Sequence, residues 1–341
     1  MKDDLLVEIK DLQLNFTTYD GVSKVLAGVN LKMRRGDVVG LVGETGCGKT
    51  MTALSIPRLI PCPPGEIVGG RVLFEGEDVL GMTEEEIRML RAQRVAMVFQ
   101  DPTTNLNPVF TIGEQMVDAI LCQQGENSTL LLSPLASLFP STKEKRRMAQ
   151  KMAIRMLERV GIPDARKRIN NYPHEFSGGM RQRVLIAMAL AGNPSLLIAD
   201  EPTTALDVSI QAQILRLIVE LVKEMNLSVL LITHNLGVVA KICQWVAVMY
   251  AGVVVECADV RTIFKEPQHP YTLGLLRSIP TYGTRKGEIK GIRGSIPNFI
   301  YPPPGCRFHP RCDYAIPRCS QEAPKPIELA PGHEVSCFLY F

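Results

Sequence analysis

Five short runs in which nearly every position is apolar punctuate the chain: VVGLV (38–42), RVAMVF (94–99), SLLIAD (195–200), LSVLLIT (227–233) and WVAVMY (245–250). Strands covered on both faces carry such unbroken hydrophobicity. The stretches between the runs are long enough for crossover helices, so the pattern predicts an α/β class with a largely parallel sheet. Residues 5–16 and 24–33 alternate apolar and polar positions more regularly and predict an antiparallel flap near the N-terminus. Residues 111–122 and 142–160 have helical periodicity and split the strand series, which predicts an inserted helical subdomain at about 101–176. Between those helices, QQGENSTLLLSPLASLFPST (123–142) has no clean period and reads as a surface loop or local hairpin. Its apolar part is too short to span a bilayer, which leaves a membrane- or partner-facing contact as the alternative.

The chain has 341 residues, room for a full core plus an appended domain. With 46% hydrophobic and 21% charged residues, disorder over most of its length is excluded. A net charge of +3 and only 6% aromatic residues provide no strongly basic surface, so no nucleic-acid partner is expected. The start MKDDLLVEIKDLQLNF puts acids where a signal peptide needs bases, and no apolar run reaches the ~18 residues of a spanning helix. A cytosolic chain that does not itself cross a membrane is expected. Half of the 24 prolines lie from residue 259 onward, which argues against long helices there.

Directly after VVGLV comes Gly43-Glu44-Thr45-Gly46-Cys47-Gly48-Lys49-Thr50, the GxxxxGKT pattern in its strand-to-helix setting. Its glycines let backbone N–H groups turn inward around phosphate oxygens, and the helix start adds positive potential. Lys49 reaches the β and γ phosphates and Thr50 ligates magnesium. Pro57 is expected to kink or stop the following helix. The amides around Cys47, together with Lys49, are expected to favour its thiolate. A second acidic element, LLIADE, ends in Asp200 and Glu201 at the carboxyl end of a buried strand, where open α/β sheets place their ligands. Asp200 is expected in the magnesium shell, and Glu201, projecting the other way, is expected to orient and polarise the attacking water.

Between these elements lies Ser177-Gly178-Gly179-Met180-Arg181-Gln182-Arg183. Gln100 follows RVAMVF, Asp207 lies in TALD, His234 follows LSVLLIT, and Tyr19 precedes the phosphate loop. This order resembles the ATP-binding subunit of ABC transporters over residues 5–257. The resemblance implies a P-loop (RecA-like) core with mostly parallel sheet, antiparallel β flap and helical insertion. Residues 1–258 would form the nucleotide-binding domain and 259–341 a proline-rich C-terminal domain. It also implies that Ser177, Gly178 and Gly179 complete the ATP site of an opposite subunit, and a serine cap followed by glycine-bared amides suits an anion. By the same resemblance, Gln100 senses magnesium or water and begins the segment contacting a membrane partner, and His234 contacts the γ-phosphate. Asp207 lies at the dimer interface and Tyr19 stacks on adenine. The usual LSGGQ is FSGGM here, with serine and both glycines kept.

FSGGMRQR, DPTTNLNPVFTIGEQ and HPYTLGLLRSIP (269–280) look like the dipeptide and oligopeptide importer ATPases, a narrower match that extends to the chain's end. It implies pairing with a second ABC ATPase subunit, a related paralogue or otherwise a second copy. It further implies docking on two membrane permeases fed by an extracytoplasmic binding protein. Import of another solute, an oligosaccharide or a metal chelate, is an alternative. A soluble ABC ATPase acting on DNA or ribosomes usually has two fused nucleotide domains or a long coiled coil, and neither is visible here.

Four of the nine cysteines, Cys306, Cys312, Cys319 and Cys337, fall in the last 36 residues as C-x5-C-x6-C-x17-C. In a reducing compartment such a set suggests metal ligands, and four thiolates suit zinc or an iron–sulfur cluster alike. Paired CxxC knuckles are absent, so zinc is not the first expectation. The family resemblance favours a four-iron four-sulfur cluster whose main role is to fold the tail, with small buried or oxidised cysteines as a further alternative. His309 and His333 are expected to cap or hydrogen bond rather than ligate.

Overall fold

The computed structural model describes residues 4–99, 105–124, 140–203, 206–279 and 291–341. The chain divides into two compact units, Met1–Gly81 with Leu230–Phe341, and Met82–Val229.

In the first unit, Leu5–Thr18 and Gly21–Arg34 form the expected antiparallel pair, with Val7 opposite Met33 and Leu14 opposite Leu26. Their buried positions, Val7 and Ile9 and then Leu12 and Leu14, fall out of strict alternation because the register slips between Ile9 and Leu12. Asp11 sits in that slip with left-handed backbone, φ 47°. A third strand, Gly65–Phe74, joins the free side of Leu5–Thr18.

The unit's second sheet is built on Val38–Val42, every residue of which is buried. Trp245–Tyr250 runs parallel to it, with Val39 opposite Trp245 and Val42 opposite Val248. On the far side of Trp245–Tyr250 the sheet departs from the largely parallel expectation. Val253–Asp259 returns antiparallel to Trp245–Tyr250, and His333–Val335 and Ile327–Ala330 continue the antiparallel edge, so the sheet is mixed. The cause is a two-residue turn. Ala251 (φ 43°) and Gly252 (φ 83°) are both left-handed, the combination that folds a strand straight back on itself. The turn is also tied on several sides. Gly252 donates its N–H to the Cys47 carbonyl at 2.8 Å and accepts from the Ala27 N–H at 2.9 Å, and Arg307 donates to the Ala251 carbonyl at 2.5 Å.

In the second unit, Leu196–Asp200 pairs parallel with Val95–Val98. Helices Ile112–Gln123 and Pro140–Arg159 occupy the regions expected to be helical. Thr111 and Glu114 form a capping box at the first of these, and Thr83 and Glu86 form another at Glu84–Gln93. In both boxes the threonine N–H and hydroxyl hold the glutamate pKa below its ordinary value. Most of the 123–142 stretch lies outside the described residues.

No described helix is long and apolar enough to cross a membrane. From residue 259 onward the longest described helix is Pro270–Arg277, which accords with the proline distribution.

Candidate nucleotide-binding site

The phosphate loop leaves the buried strand Val38–Val42 and enters helix Lys49–Ser55. Gly43 has to be glycine: a Cβ there would lie 2.1 Å from the Met249 carbonyl oxygen. Gly46 and Gly48 have φ 85° and 106°. Gly48 caps the helix without any side-chain hydrogen bond, and no acid lies in the first turn, so the helix start carries no internal anion. Lys49 is buried, and its ammonium donates to the Gly43 carbonyl at 2.8 Å and the Glu44 carbonyl at 2.9 Å. Thr50 is the second residue of the helix, which stops at Ser55, just ahead of Pro57 as expected; the Ala53 carbonyl accepts from the Ile56 N–H instead.

One expectation for this loop is corrected. Cys47 is fully buried, and burial pushes its thiol above the ordinary value even though Lys49 pulls the other way. Desolvation outweighs the nearby cation, so the loop does not favour a thiolate.

The rest of the first-unit set is dispersed around strand ends. Tyr19 is fully exposed in the turn between Thr18 and Gly21. His234 is exposed at the end of Ser228–Thr233, just before Asn235, which caps helix Leu236–Ile242 through the Gly237 and Val238 N–H groups.

In the second unit, Asp200 is buried at the end of Leu196–Asp200. Glu201 beside it has left-handed backbone, φ 47°. A glutamate in that region stores strain that regular structure avoids, and such outliers concentrate at functional sites. Ser177 caps helix Gly178–Leu190 by accepting from the Met180 N–H at 3.4 Å. A Cβ on Gly179 would come within 2.5 Å of Ile210, and one on Gly178 within 3.3 Å of Leu206. Asp207 occupies the N-cap position of Val208–Met225 but makes no side-chain cap bond. Gln100 lies outside the described residues.

In the tail, burial raises the thiols of Cys306, Cys312 and Cys337, that of Cys306 to about 11, and each of the four cysteine thiols lies within electrostatic reach of the other three. The Cys306 N–H donates to the Cys319 carbonyl at 2.8 Å. The four cysteines expected as an iron–sulfur ligand set are therefore neighbours, but no group of three or more His, Cys, Asp or Glu among the described residues is close enough to hold a metal ion. His309 and His333 hydrogen bond, as expected, to the Cys306 carbonyl and to Glu256, each at 2.9 Å.

Two tail residues that the sequence reading gave no role touch the phosphate loop. The Glu44 N–H donates to the Tyr271 hydroxyl at 2.9 Å, and Arg311 donates to both Glu44 carboxylate oxygens at 3.1 Å. The available signal was their place in motifs, HPYTLGLL and HPRC, that the nucleotide chemistry leaves unexplained.

A glycine-forced phosphate loop with a buried lysine at its centre defines a P-loop nucleotide-binding protein. The sequence matches the family "ABC transporter" over residues 26–204 and the family "Oligopeptide/dipeptide transporter, C-terminal region" over residues 255–319. It is 45% identical to the oligopeptide transport ATP-binding protein OppD of Bacillus subtilis, covering 98% of this chain and 88% of that one. It is 42% identical to the dipeptide transport ATP-binding protein DppD of the same organism, covering 98% and 94%. Among solved structures it is similar to cbiO1 from Clostridium perfringens, part of the ABC transporter complex cbiONQ, with TM-score 0.60, 26% identity and coverage of 77% and 92%. A dimeric post-hydrolysis ATP-binding cassette, MJ0796, bound to ADP and Pi, matches with TM-score 0.58, 26% identity and coverage of 75% and 99%. The chain belongs to the ABC transporter ATP-binding proteins of the oligopeptide/dipeptide importer family, and it is an ABC-type ATPase.

Proposed function

We propose that this chain is the ATP-hydrolysing subunit of a peptide importer, in which two nucleotide-binding domains sandwich two ATP molecules and their closure drives uptake of di- or oligopeptides. The observation that carries this reading is the prebuilt phosphate loop, with Lys49 held by the Gly43 and Glu44 carbonyls at its centre. Phosphate oxygens would take the amides of residues 46–50, and Thr50 and Asp200 would complete the magnesium shell together with Gln100. Tyr19 would stack on adenine. Glu201 would polarise the attacking water while His234 holds the γ-phosphate. Ser177, Gly178 and Gly179 would close on the ATP of the opposite subunit, with Asp207 at the interface, because one chain carries one copy of each half-site.

The opposite subunit is a related paralogue or a second copy. At the cytoplasmic face of the membrane, the pair would dock on two permeases served by an extracytoplasmic binding protein. Phe99, just before the 100–122 segment, and Val109 and Phe110 within it expose apolar surface, as a permease-facing contact requires. The domains would run from 1 to 258, with a helical subdomain at about 101–176, and from 259 to 341. Cys306, Cys312, Cys319 and Cys337 would hold a four-iron four-sulfur cluster, or zinc, as a covalent crosslink of the tail. The C-x5-C-x6-C-x17-C pattern, in a segment with little core of its own, supports that part, although no described group of His, Cys, Asp or Glu is arranged to hold a metal ion.

The test of the catalytic assignment is Glu201→Gln in the reconstituted importer. Magnesium–ATP binding should persist, while turnover and peptide uptake fall by about 10² or more. Turnover close to wild type would remove Glu201 from its role.

A further inference from the structure

Glu44 directly follows Gly43 in the phosphate loop, and it is gripped from outside at two points. Its backbone N–H goes to the hydroxyl of Tyr271, a fully buried side chain 227 positions away. Its carboxylate takes both hydrogen bonds from one Arg311 nitrogen, 267 positions away. Inside the loop, the Glu44 carbonyl accepts from the Lys49 ammonium at 2.9 Å and from the Cys47 N–H at 3.3 Å. One residue thus joins the tail to the lysine that meets the phosphates.

The grip is built rather than incidental. Arg311 also donates through Nε to the Arg293 carbonyl at 2.7 Å and through Nη2 to the Gly294 carbonyl at 3.3 Å, so its fork is oriented before it reaches Glu44. The guanidinium stacks 5.6 Å from the centre of the Tyr250 ring, which packs against Tyr271 and Phe308. With side-chain exposures of 8% for Arg311 and 28% for Glu44, the pair is shielded from the solvent screening that makes surface ion pairs nearly worthless. Tyr271 is placed just as firmly. His269 caps its helix by accepting from the Tyr271 N–H at 3.0 Å, and the His269 N–H itself goes to buried Glu256 at 2.9 Å.

We propose that Tyr271 and Arg311 are positioning residues for ATP binding: they hold Glu44, and through its carbonyl Lys49, in the geometry that receives the phosphates. The fold of residues 291–312 and nucleotide occupancy are then thermodynamically linked. This rests on the reading of residues 43–50 as an ATP site. HPYTLGLL and HPRC thereby share one task, delivering a hydroxyl and a guanidinium to a single loop residue. Because linkage is reciprocal, bound nucleotide stabilises the Arg311 segment by the factor that the segment lends to binding.

The experiment is equilibrium titration of the full chain with magnesium–ATP, alongside steady-state turnover of the reconstituted importer. Arg311→Gln should weaken binding and raise the KM for ATP about tenfold, with kcat within about twofold of wild type. Arg311→Lys should fall between the two, having a charge but no fork. Tyr271→Phe, which removes only a hydroxyl and so keeps the fold, should weaken binding about threefold. Glu44→Gln combined with Arg311→Gln should lose no more than the worse single variant. Magnesium–ATP should slow hydrogen exchange at 305–312 in wild type but not in Arg311→Gln. Tyr271→Phe and Arg311→Gln proteins that bind ATP as wild type does, or a double variant whose losses add, would overturn the proposal. A wild-type chain that fails to bind magnesium–ATP would instead overturn the ATP-site reading.

Discussion

The chain begins two helices with glycine-rich turns, and the two turns differ in how completely they are finished. The phosphate loop is enclosed: Gly43 abuts the Met249 carbonyl, Cys47 is buried, Lys49 is bonded to loop carbonyls, and Glu44 is tied to the tail. The turn at Ser177-Gly178-Gly179 has a single cap bond of 3.4 Å, and its crowding comes from the side chains of Leu206 and Ile210 rather than from backbone. A loop locked by backbone is preorganised for its ligand in the isolated chain. A turn that leans on side chains can settle against the second subunit proposed above.

The sharpest way to break this comparison is to add one methyl group to each turn. Gly43→Ala drives a Cβ to 2.1 Å from a carbonyl that cannot move without moving its strand. ATP binding by the isolated chain should weaken by at least about 100-fold, as measured by calorimetric titration. Gly179→Ala places its Cβ 2.5 Å from the Ile210 Cγ2 methyl, a side-chain contact rather than a backbone one. The isolated chain should bind ATP unchanged, while ATP-driven dimerisation and turnover fall about tenfold. Equal losses of isolated-chain binding in both variants would erase the distinction between the turns.

A third, smaller effect separates the two units by pH. His269 is fully buried, and desolvation depresses its pKa to about 3 from an ordinary 6.5. The unfolded chain therefore binds a proton that the folded chain refuses between those values. The stability that depends on neutral His269 is complete above about pH 6.5 and is lost as pH falls toward 3. Hydrogen exchange at pH 7 and pH 5 should show residues 260–277 opening more readily at the lower pH, while the helix Gly178–Leu190 is unaffected. His269→Asn, which keeps a capping side chain, should flatten the response. Smallest of all, Ser177→Ala should cost about 1 kcal/mol of local helix stability by removing the cap, read as faster exchange at the Met180 amide with ATP binding intact.

How far the sequence alone carries depends on whether the deciding interaction is local. The five apolar runs became strands within a residue or two of their expected ends, because burial on both faces leaves one pattern. The phosphate loop was legible because glycine spacing dictates backbone shape over eight consecutive residues. Strand Gly65–Phe74 was missed: glycines at 65, 69 and 70 break its alternation, and its pairing with Leu5–Thr18 along most of its length makes it a strand. The antiparallel return at Ala251-Gly252 was missed because alanine rarely adopts a left-handed conformation. The thiol of Cys47 was misjudged because the nearby charge is visible in sequence while burial is not. Tyr271 and Arg311 lie 227 and 267 positions from Glu44, and nothing short of the fold brings them together.

The two-residue turn at Ala251-Gly252 also has a bearing on where this protein can be cut or extended. Tight hairpin tips are the usual choice for epitope tags, fluorescent insertions and new termini, since their backbone normally faces water. Here both sides of Gly252 are spoken for by Cys47 and Ala27, and a Cβ on Gly252 would sit 2.2 Å from the Val25 carbonyl. Splitting the chain at 251–252 would release the carbonyl of a phosphate-loop residue, so this hairpin is the worse insertion site. The tip at 19–20, fully exposed at Tyr19, is the place for a reporter, and a label there would sit where the nucleotide base is proposed to stack.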